Sequence, residues 1–141
     1  MREIKFRAFD AVGDKGWVYG DLVHYQMVTV DGLEPRVMVG GYEVDPESIC
    51  QYTGLKDEIG RDVYEGDIIK IDGSDELPRV VIFYEHAFVI ATAEEFGYLE
   101  HGEHPYLNDY AHMMCLNEWS NTGLVRVIGN IIDTPELLKT R

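Results

Sequence analysis

The strongest constraint on this chain is a period-two alternation of apolar and polar residues, in short runs separated by turn residues. Ile4, Phe6 and Ala8 lie on one face of the first run, which is the spacing of a strand with one buried side. Residues 17–23 alternate in the same way. Residues 79–84 are β-branched and aromatic, which is typical of a buried strand. The chain is therefore expected to fold mainly as short strands.

Turn sequences join these runs into hairpins. The turn at residues 13–16 predicts a first hairpin. A second is predicted from residues 25–30 and 36–39, because the intervening Asp31-Gly32 supplies the positive φ angles of tight turns. Further strands are predicted at residues 67–71, 88–92 and 125–132, with a weaker candidate at residues 111–116.

Helical signals are confined to two short segments. Thr134, Pro135 and Glu136 are an N-cap residue, a first-turn proline and a first-turn acid, which together predict a short C-terminal helix. Leu137 and Leu138 are expected to dock it on the core. One or two further helical turns are expected at residues 93–99.

This balance of elements predicts the fold class. We expect an all-β protein, mostly antiparallel and barrel- or sandwich-like, with a short C-terminal helix. A chain of 141 residues that is 45% hydrophobic can bury a sizeable core. Because no repeat or linker divides it, we expect a single domain spanning residues 1–141.

The charge balance limits the partners. Twelve Lys and Arg stand against 26 Asp and Glu, for a net charge of -14. Phosphate backbones would repel such a chain, so no nucleic-acid partner is expected. No run approaches the roughly 20 apolar residues of a membrane span, and no membrane partner is expected. The N-terminus lacks the apolar region of a signal peptide, which predicts the cytoplasm.

Several segments together carry a resemblance to a known family. They lie at residues 1–10, at residues 51–57 followed by 63–69, and at residues 127–132 followed by 135–138. In content and order they resemble the YopX family of phage and prophage proteins. The resemblance implies a largely β protein encoded by a phage or an integrated element in a bacterial host, and it carries over no catalytic chemistry.

The middle of these segments is rich in acids beside glycines. Asp57 and Asp62 are suited to accept hydrogen bonds from nearby backbone amides, which favours an architectural role. The alternative is that Asp57, Glu65 and Asp67 converge on a divalent cation, which prefers carboxylate oxygens. Their spacing matches no calcium-loop pattern.

A polar loop supplies a second candidate metal site. His101 and His104, with His112 and Cys115, are donors of the kind that zinc accepts. The first two histidines are three residues apart around a glycine, whereas a helical zinc motif needs a separation of four. Cys50 and Cys115 are expected to be reduced, buried thiols. We assign no metal-binding, cofactor-binding or catalytic residue, because no nucleophile elbow or phosphate loop occurs either.

The lack of a catalytic motif predicts a non-enzymatic protein, and the resemblance to the YopX family implies that it is an accessory protein of a phage or prophage. It is expected to act as a binding or self-assembling module. Its expected partners are further copies of itself, in a homo-oligomer, and possibly a host or phage protein. One alternative is an acidic DNA-mimic decoy for a host DNA-binding protein. Another is a metal-dependent enzyme that uses the His101/His104 loop.

Overall fold

The computed structural model describes residues 3–73, 77–84, 87–100, 114–115 and 124–139. The chain divides into two compact units, Met1–Tyr52 and Thr53–Arg141. Each unit has its own buried apolar cluster. The single domain expected over residues 1–141 stays a prediction.

The first unit is built from short antiparallel strands. They are β1 (Phe6–Phe9), β2 (Trp17–Gly20), β3 (Leu22–Thr29), β4 (Gly32–Val39), β5 (Tyr42–Glu43) and the first residues of β6 (Cys50–Lys56), with a 3-10 helix at Pro46–Ser48 before β6. One sheet has the order β2-β1-β6 within this unit, and a second sheet has the order β3-β4-β5. The core consists of Ala8, Val18, Val37, Val39 and Val44.

The second unit contains a five-stranded antiparallel sheet of order β11-β10-β9-β8-β12. Its elements are β7 (Asp62–Tyr64), β8 (Asp67–Ile71), β9 (Arg79–Tyr84), β10 (Ala87–Thr92), α1 (Ala93–Glu100), β11 (Met114–Cys115), β12 (Val125–Asn130) and α2 (Glu136–Lys139). Within this unit β7 pairs with the last part of β6.

The five-stranded sheet is buried on both faces. Ile69 and Val81 belong to one apolar cluster, while their chain neighbours Ile68 and Val80 belong to a second one that also contains Leu138 of α2. Adjacent residues of a strand point to opposite faces, so a sheet covered on both sides requires continuous apolar runs. This explains why β8 and β9 do not alternate in polarity.

The predicted fold class is confirmed, because the described residues are mostly antiparallel strands with few helices. The predicted strand at residues 17–23 is broken after Gly20. The second hairpin exists, but its turn was predicted one residue too late. Val30 and Asp31 form the turn, and Gly32 opens β4.

The two helical predictions are confirmed with one correction. Helix α1 begins with a capping box, since the backbone N–H of Glu95 donates to Thr92 and the backbone N–H of Thr92 donates to the Glu95 carboxylate. Helix α2 forms as expected, but the Thr134 hydroxyl does not cap its N-terminus. It bonds the backbone N–H and carbonyl of Asn130, at 3.1 and 3.2 Å. No helix in the described part of the chain is long and apolar enough to cross a membrane.

Candidate functional site

The β3–β4 hairpin is the candidate functional site. Its two strands pair over eight positions, from Leu22 opposite Val39 to Thr29 opposite Gly32. The Thr29 side chain fastens the turn, because its hydroxyl donates to the Gly32 carbonyl and accepts the backbone N–H of Asp31. The local sequence therefore specifies a long, fully paired ribbon.

One face of this ribbon is apolar and loses its cover toward the turn. Cross-strand partners share a face, so Val28 and Leu33 continue the face on which Val37 and Val39 are buried. Val28 is 81% exposed and Leu33 67% exposed, and the turn residue Val30 is fully exposed. We call Val28, Val30 and Leu33 the hairpin tip. Clustered apolar exposure of this kind marks interaction surfaces more often than isolated apolar residues do.

A groove of about 930 Å³ lies in the same unit, beside the covered part of the hairpin. Pro35, Val37 and Val44 contribute apolar lining, while Arg36 and Glu43 contribute charged lining. Concave sites that combine apolar lining with a few polar groups are the usual form of a small-molecule binding site. The first unit therefore presents an exposed apolar hairpin tip and a groove whose lining is both apolar and charged.

The opposite face of the hairpin carries a charged network. Arg36 donates to Glu43 at 2.9 Å and to Glu34 at 2.8 Å, and the Tyr25 hydroxyl donates to Glu43 at 3.1 Å. Hydrogen bonding to Glu34 and attraction by Glu43 raise the pKa of Arg36. The pKa of Tyr25 is raised mainly by partial burial and secondly by the hydrogen bond to Glu43. The single positive charge of Arg36 is paired with two carboxylates, those of Glu34 and Glu43, so the network has a net negative charge.

The acids expected near residues 57–67 have structural roles. Asp57 is buried, and its carboxylate accepts the backbone N–H groups of Ile59, Arg61 and Val127. Asp67 is also buried and accepts the backbone N–H of Tyr64 at 2.8 Å. The backbone-acceptor role predicted for Asp57 is confirmed.

The neighbouring acids were considered for other roles. Asp62 forms an ion pair with the side chain of Lys56, and the backbone-acceptor role expected for it stays a prediction. The cation alternative for Asp57, Glu65 and Asp67 is wrong, since no group of three or more His, Cys, Asp or Glu residues among those described could hold a metal ion. Asp57 and Asp67 turn their carboxylates to backbone amides instead.

The Gly129-Asn130 pair near the C-terminus also has a structural purpose. A Cβ on Gly129 would collide with the Thr134 hydroxyl and lie 2.8 Å from Cδ1 of Leu137. The Asn130 side-chain oxygen accepts the backbone N–H groups of Ile132 and Asp133. This turn therefore brings helix α2 against the end of β12.

Glu58 and Asp72 form a carboxyl pair beside Arg126. Their mutual hydrogen bond raises the pKa of Glu58, with partial burial acting in the same direction. The same bond lowers the pKa of Asp72, and a 3.1 Å hydrogen bond from Arg126 supports that shift. The pKa of Glu58 is therefore raised because its neutral form can share a hydrogen bond with the Asp72 carboxylate.

This pair predicts a bell-shaped contribution to stability. The raised pKa of Glu58 stabilises the fold at low pH, and that part is lost as pH rises through its folded-state pKa. The lowered pKa of Asp72 stabilises the fold at pH values above the unfolded-state pKa of Asp72. This contribution to stability is lost as the pH falls through the folded-state pKa of Asp72. Stabilisation should therefore be greatest between the two folded-state pKa values.

The measurement is a carboxyl-carbon NMR titration of wild type and Glu58→Ala. Removal of Glu58 should move the pKa of Asp72 back toward its ordinary value. An unchanged Asp72 titration in the variant would contradict the shared hydrogen bond.

The remaining candidate residues divide between described and undescribed parts of the chain. His86, His101, His104 and His112 lie outside the described residues. Cys50 is buried, as predicted. His24 lies exposed on β3, and Gly40-Gly41 forms the turn between β4 and β5. Cys115 pairs through its backbone with Val89, which confirms a strand there.

Sequence reasoning missed the hairpin tip. The available signal was the apolar content of residues 28–33, where a tight turn ordinarily has polar residues and glycine at its centre. Alternation alone places Val28 and Leu33 on the buried side of their strands. The tertiary structure shows that this side is uncovered near the turn.

Comparison with known proteins agrees with this architecture. A family profile described as YopX protein matches residues 5–139. The chain belongs to the YopX family. This YopX protein also resembles the crystal structure of protein EF1440 from Enterococcus faecalis, with a TM-score of 0.54 and 20% sequence identity. The likeness covers 98% of this chain and 99% of that one, and it concerns the fold alone. No curated protein matches the sequence.

Proposed function

We propose that this YopX protein is a non-enzymatic accessory protein of a phage or prophage that binds a partner through the β3–β4 hairpin. The partner is a second copy of the chain or a host or phage protein. Membership of the YopX family supports the phage origin. The exposed hairpin tip carries the proposal for binding.

The exposure of the tip is costly without a partner. Full burial of a valine or leucine side chain contributes about 1.5–3 kcal/mol relative to leaving it in water. Most of this burial free energy is missing in the isolated chain, because three apolar side chains stay largely exposed: Val28, Val30 and Leu33. A partner surface that covers them recovers it, which supports binding at this end of the hairpin.

The chemistry of the acids supports a role without catalysis. The buried carboxylates of Asp57 and Asp67 bond backbone amides, as expected of groups that hold turns in place. The net charge of -14 also disfavours nucleic acids as partners. We therefore propose neither a nucleic-acid nor a membrane partner, and no cofactor.

The test is a binding experiment with a triple variant, Val28→Ser, Val30→Ser and Leu33→Ser. Immobilised protein is incubated with host lysate and, separately, with the same protein in solution, at about 0.05 and 0.3 M salt. The control is Ile59→Ser, because Ile59 is also largely exposed and lies in the second unit. We expect the triple variant to lose binding and the control to retain it, and we expect the higher salt concentration not to weaken binding of the wild type.

Two results would contradict this function. Equal binding by the wild type and the triple variant would show that the hairpin tip is not the binding surface. Binding that falls several hundredfold with salt and is displaced by duplex DNA would favour the acidic decoy instead. The enzyme alternative needs stoichiometric zinc at His101 and His104, which elemental analysis of untagged protein would detect.

A further inference from the structure

Strand β3 is an edge strand of unusual character. Among the described residues it pairs only with β4, since the sheet order is β3-β4-β5. It runs for eight residues, Leu22–Thr29, and contains no proline, glycine, lysine, arginine, aspartate or glutamate. Monomeric proteins usually protect long edges with proline or charged residues, because an open edge can pair with another chain.

The direction of the free backbone groups on β3 can be deduced. The Val37 carbonyl points away from β3, because it accepts the backbone N–H of Val44 at 3.2 Å. Bonded and non-bonded pairs alternate along an antiparallel ladder. Val37 and its partner His24 are therefore a non-bonded pair, and so is every second pair along the ribbon. The outward N–H and C=O groups of β3 belong to Leu22, His24, Gln26 and Val28.

The other edges of the first unit are protected. The outward positions of β4 include Pro35, which has no N–H to offer, and β5 covers the end at Val39. Strand β2 is only four residues long and ends at Gly20. The absence of comparable protection on β3 distinguishes it from its neighbours.

We infer that β3 pairs with β3 of a second copy, so that two three-stranded sheets join into one across a two-fold axis. This inference rests on the proposed function, in which the hairpin is the binding surface. The charge distribution favours this edge, because copies with a net charge of -14 repel one another elsewhere while β3 carries no acidic or basic residue except His24. Backbone hydrogen bonds supply the attraction.

Symmetry restricts the register to few choices. A two-fold axis perpendicular to the sheet pairs residues of the same face, and the bonded pairs must come from the outward set. The pairing is then centred either on Gln26, with His24 opposite Val28, or on Tyr25, with His24 opposite Gln26. In both registers Val28 of each copy gains a neighbour across the new ladder, which covers part of the hairpin tip.

The first test is the mass in solution. Light scattering between about 1 and 100 µM should give twice the chain mass of 16.1 kDa, and added salt should tighten the dimer because it screens like charges. Gln26→Pro removes an outward N–H without touching a bond to β4, and should weaken dimerisation by about 100-fold or more. His24→Glu should weaken it as well, whereas Ile59→Glu adds the same charge in the second unit and should not.

The second test follows individual amides by hydrogen exchange. The outward amides of His24, Gln26 and Val28 should be protected at high concentration and exchange quickly after dilution. The inward amides of Val23, Tyr25 and Met27 should stay protected at both concentrations, which also shows that the variants remain folded. Protection of the Leu22 amide distinguishes the register centred on Tyr25 from that centred on Gln26.

The outcomes separate this inference from the function on which it rests. A wild-type mass of 16.1 kDa throughout, or an undiminished dimer in Gln26→Pro, overturns the pairing of β3. If binding to a lysate protein is still lost in the hairpin-tip triple variant, the proposed function stands without it. If neither binding nor dimerisation responds to hairpin variants, both are wrong.

Discussion

Replacement of Asp57 by alanine should lower the free energy of unfolding by about 3 kcal/mol or more. The carboxylate is buried and accepts three backbone N–H groups, from Ile59, Arg61 and Val127. Hydrogen bonds to a charged group contribute about 1.5–3 kcal/mol each, and their sum is not additive. The bond to Val127 joins residues 70 positions apart, so its loss also weakens the attachment of the turn to β12. The backbone N–H of Glu58 still donates to the Val125 carbonyl at 2.8 Å. Urea denaturation measures the change.

The control for this variant lies in the same segment. Asp62→Ala removes an ion pair with the largely exposed Lys56 side chain and should cost less than about 1 kcal/mol. Asp57→Asn should be intermediate, because one oxygen is replaced by an NH₂ group that cannot accept an amide hydrogen. Equal losses in Asp57→Ala and Asp62→Ala would contradict the structural role of Asp57.

Gly40→Ala should destabilise the first unit by about 3 kcal/mol. Gly40 has a φ of 61°, a left-handed conformation that costs alanine about 1 kcal/mol. The added Cβ would also overlap the Tyr19 carbonyl oxygen and lie 3.1 Å from the Tyr19 carbonyl carbon. Backbone atoms cannot rotate away as a flexible side chain can, and forced overpacking adds about 1–3 kcal/mol. The melting temperature and urea midpoint should both fall.

Gly41→Ala is the matched control for Gly40→Ala. Gly41 follows in the same turn with a φ of 88°, and a Cβ there would meet nothing within 4 Å. Both variants carry the cost of a positive φ, so the difference between them isolates the close approach to Tyr19. We expect Gly40→Ala to be the more destabilised by about 2 kcal/mol. Similar losses would show that conformation alone accounts for the effect.

Several features of the molecule followed from local sequence. The alternation beginning at residue 4 predicted β1, although Ile4 itself is 61% exposed. The run at residues 79–84 predicted β9, which is buried on both faces at Val80 and Val81, whereas Phe83 is 54% exposed. The backbone-bonding role of Asp57 was predictable because an aspartate beside turn residues reaches amides only a few positions away. These features depend on periodicity and on short-range geometry, which are properties of the chain order itself.

Other features were decided by tertiary structure. The Thr134 hydroxyl was expected at the start of α2, but the close approach to Gly129 directs it to Asn130. The Glu58–Asp72 pair joins residues from separate turns, and no spacing in the sequence predicts it.

The exposure of the hairpin was decided in the same way. Val28 lay within the predicted strand at residues 25–30, but Leu33 lay outside the predicted strand at residues 36–39 and is paired with Val28 in the structure. Whether the face that they share is covered, and whether β3 has a neighbour on its outer edge, depends on where distant strands are placed. Burial and sheet order are therefore properties of the assembled fold, and the sequence by itself determined only the elements that enter it.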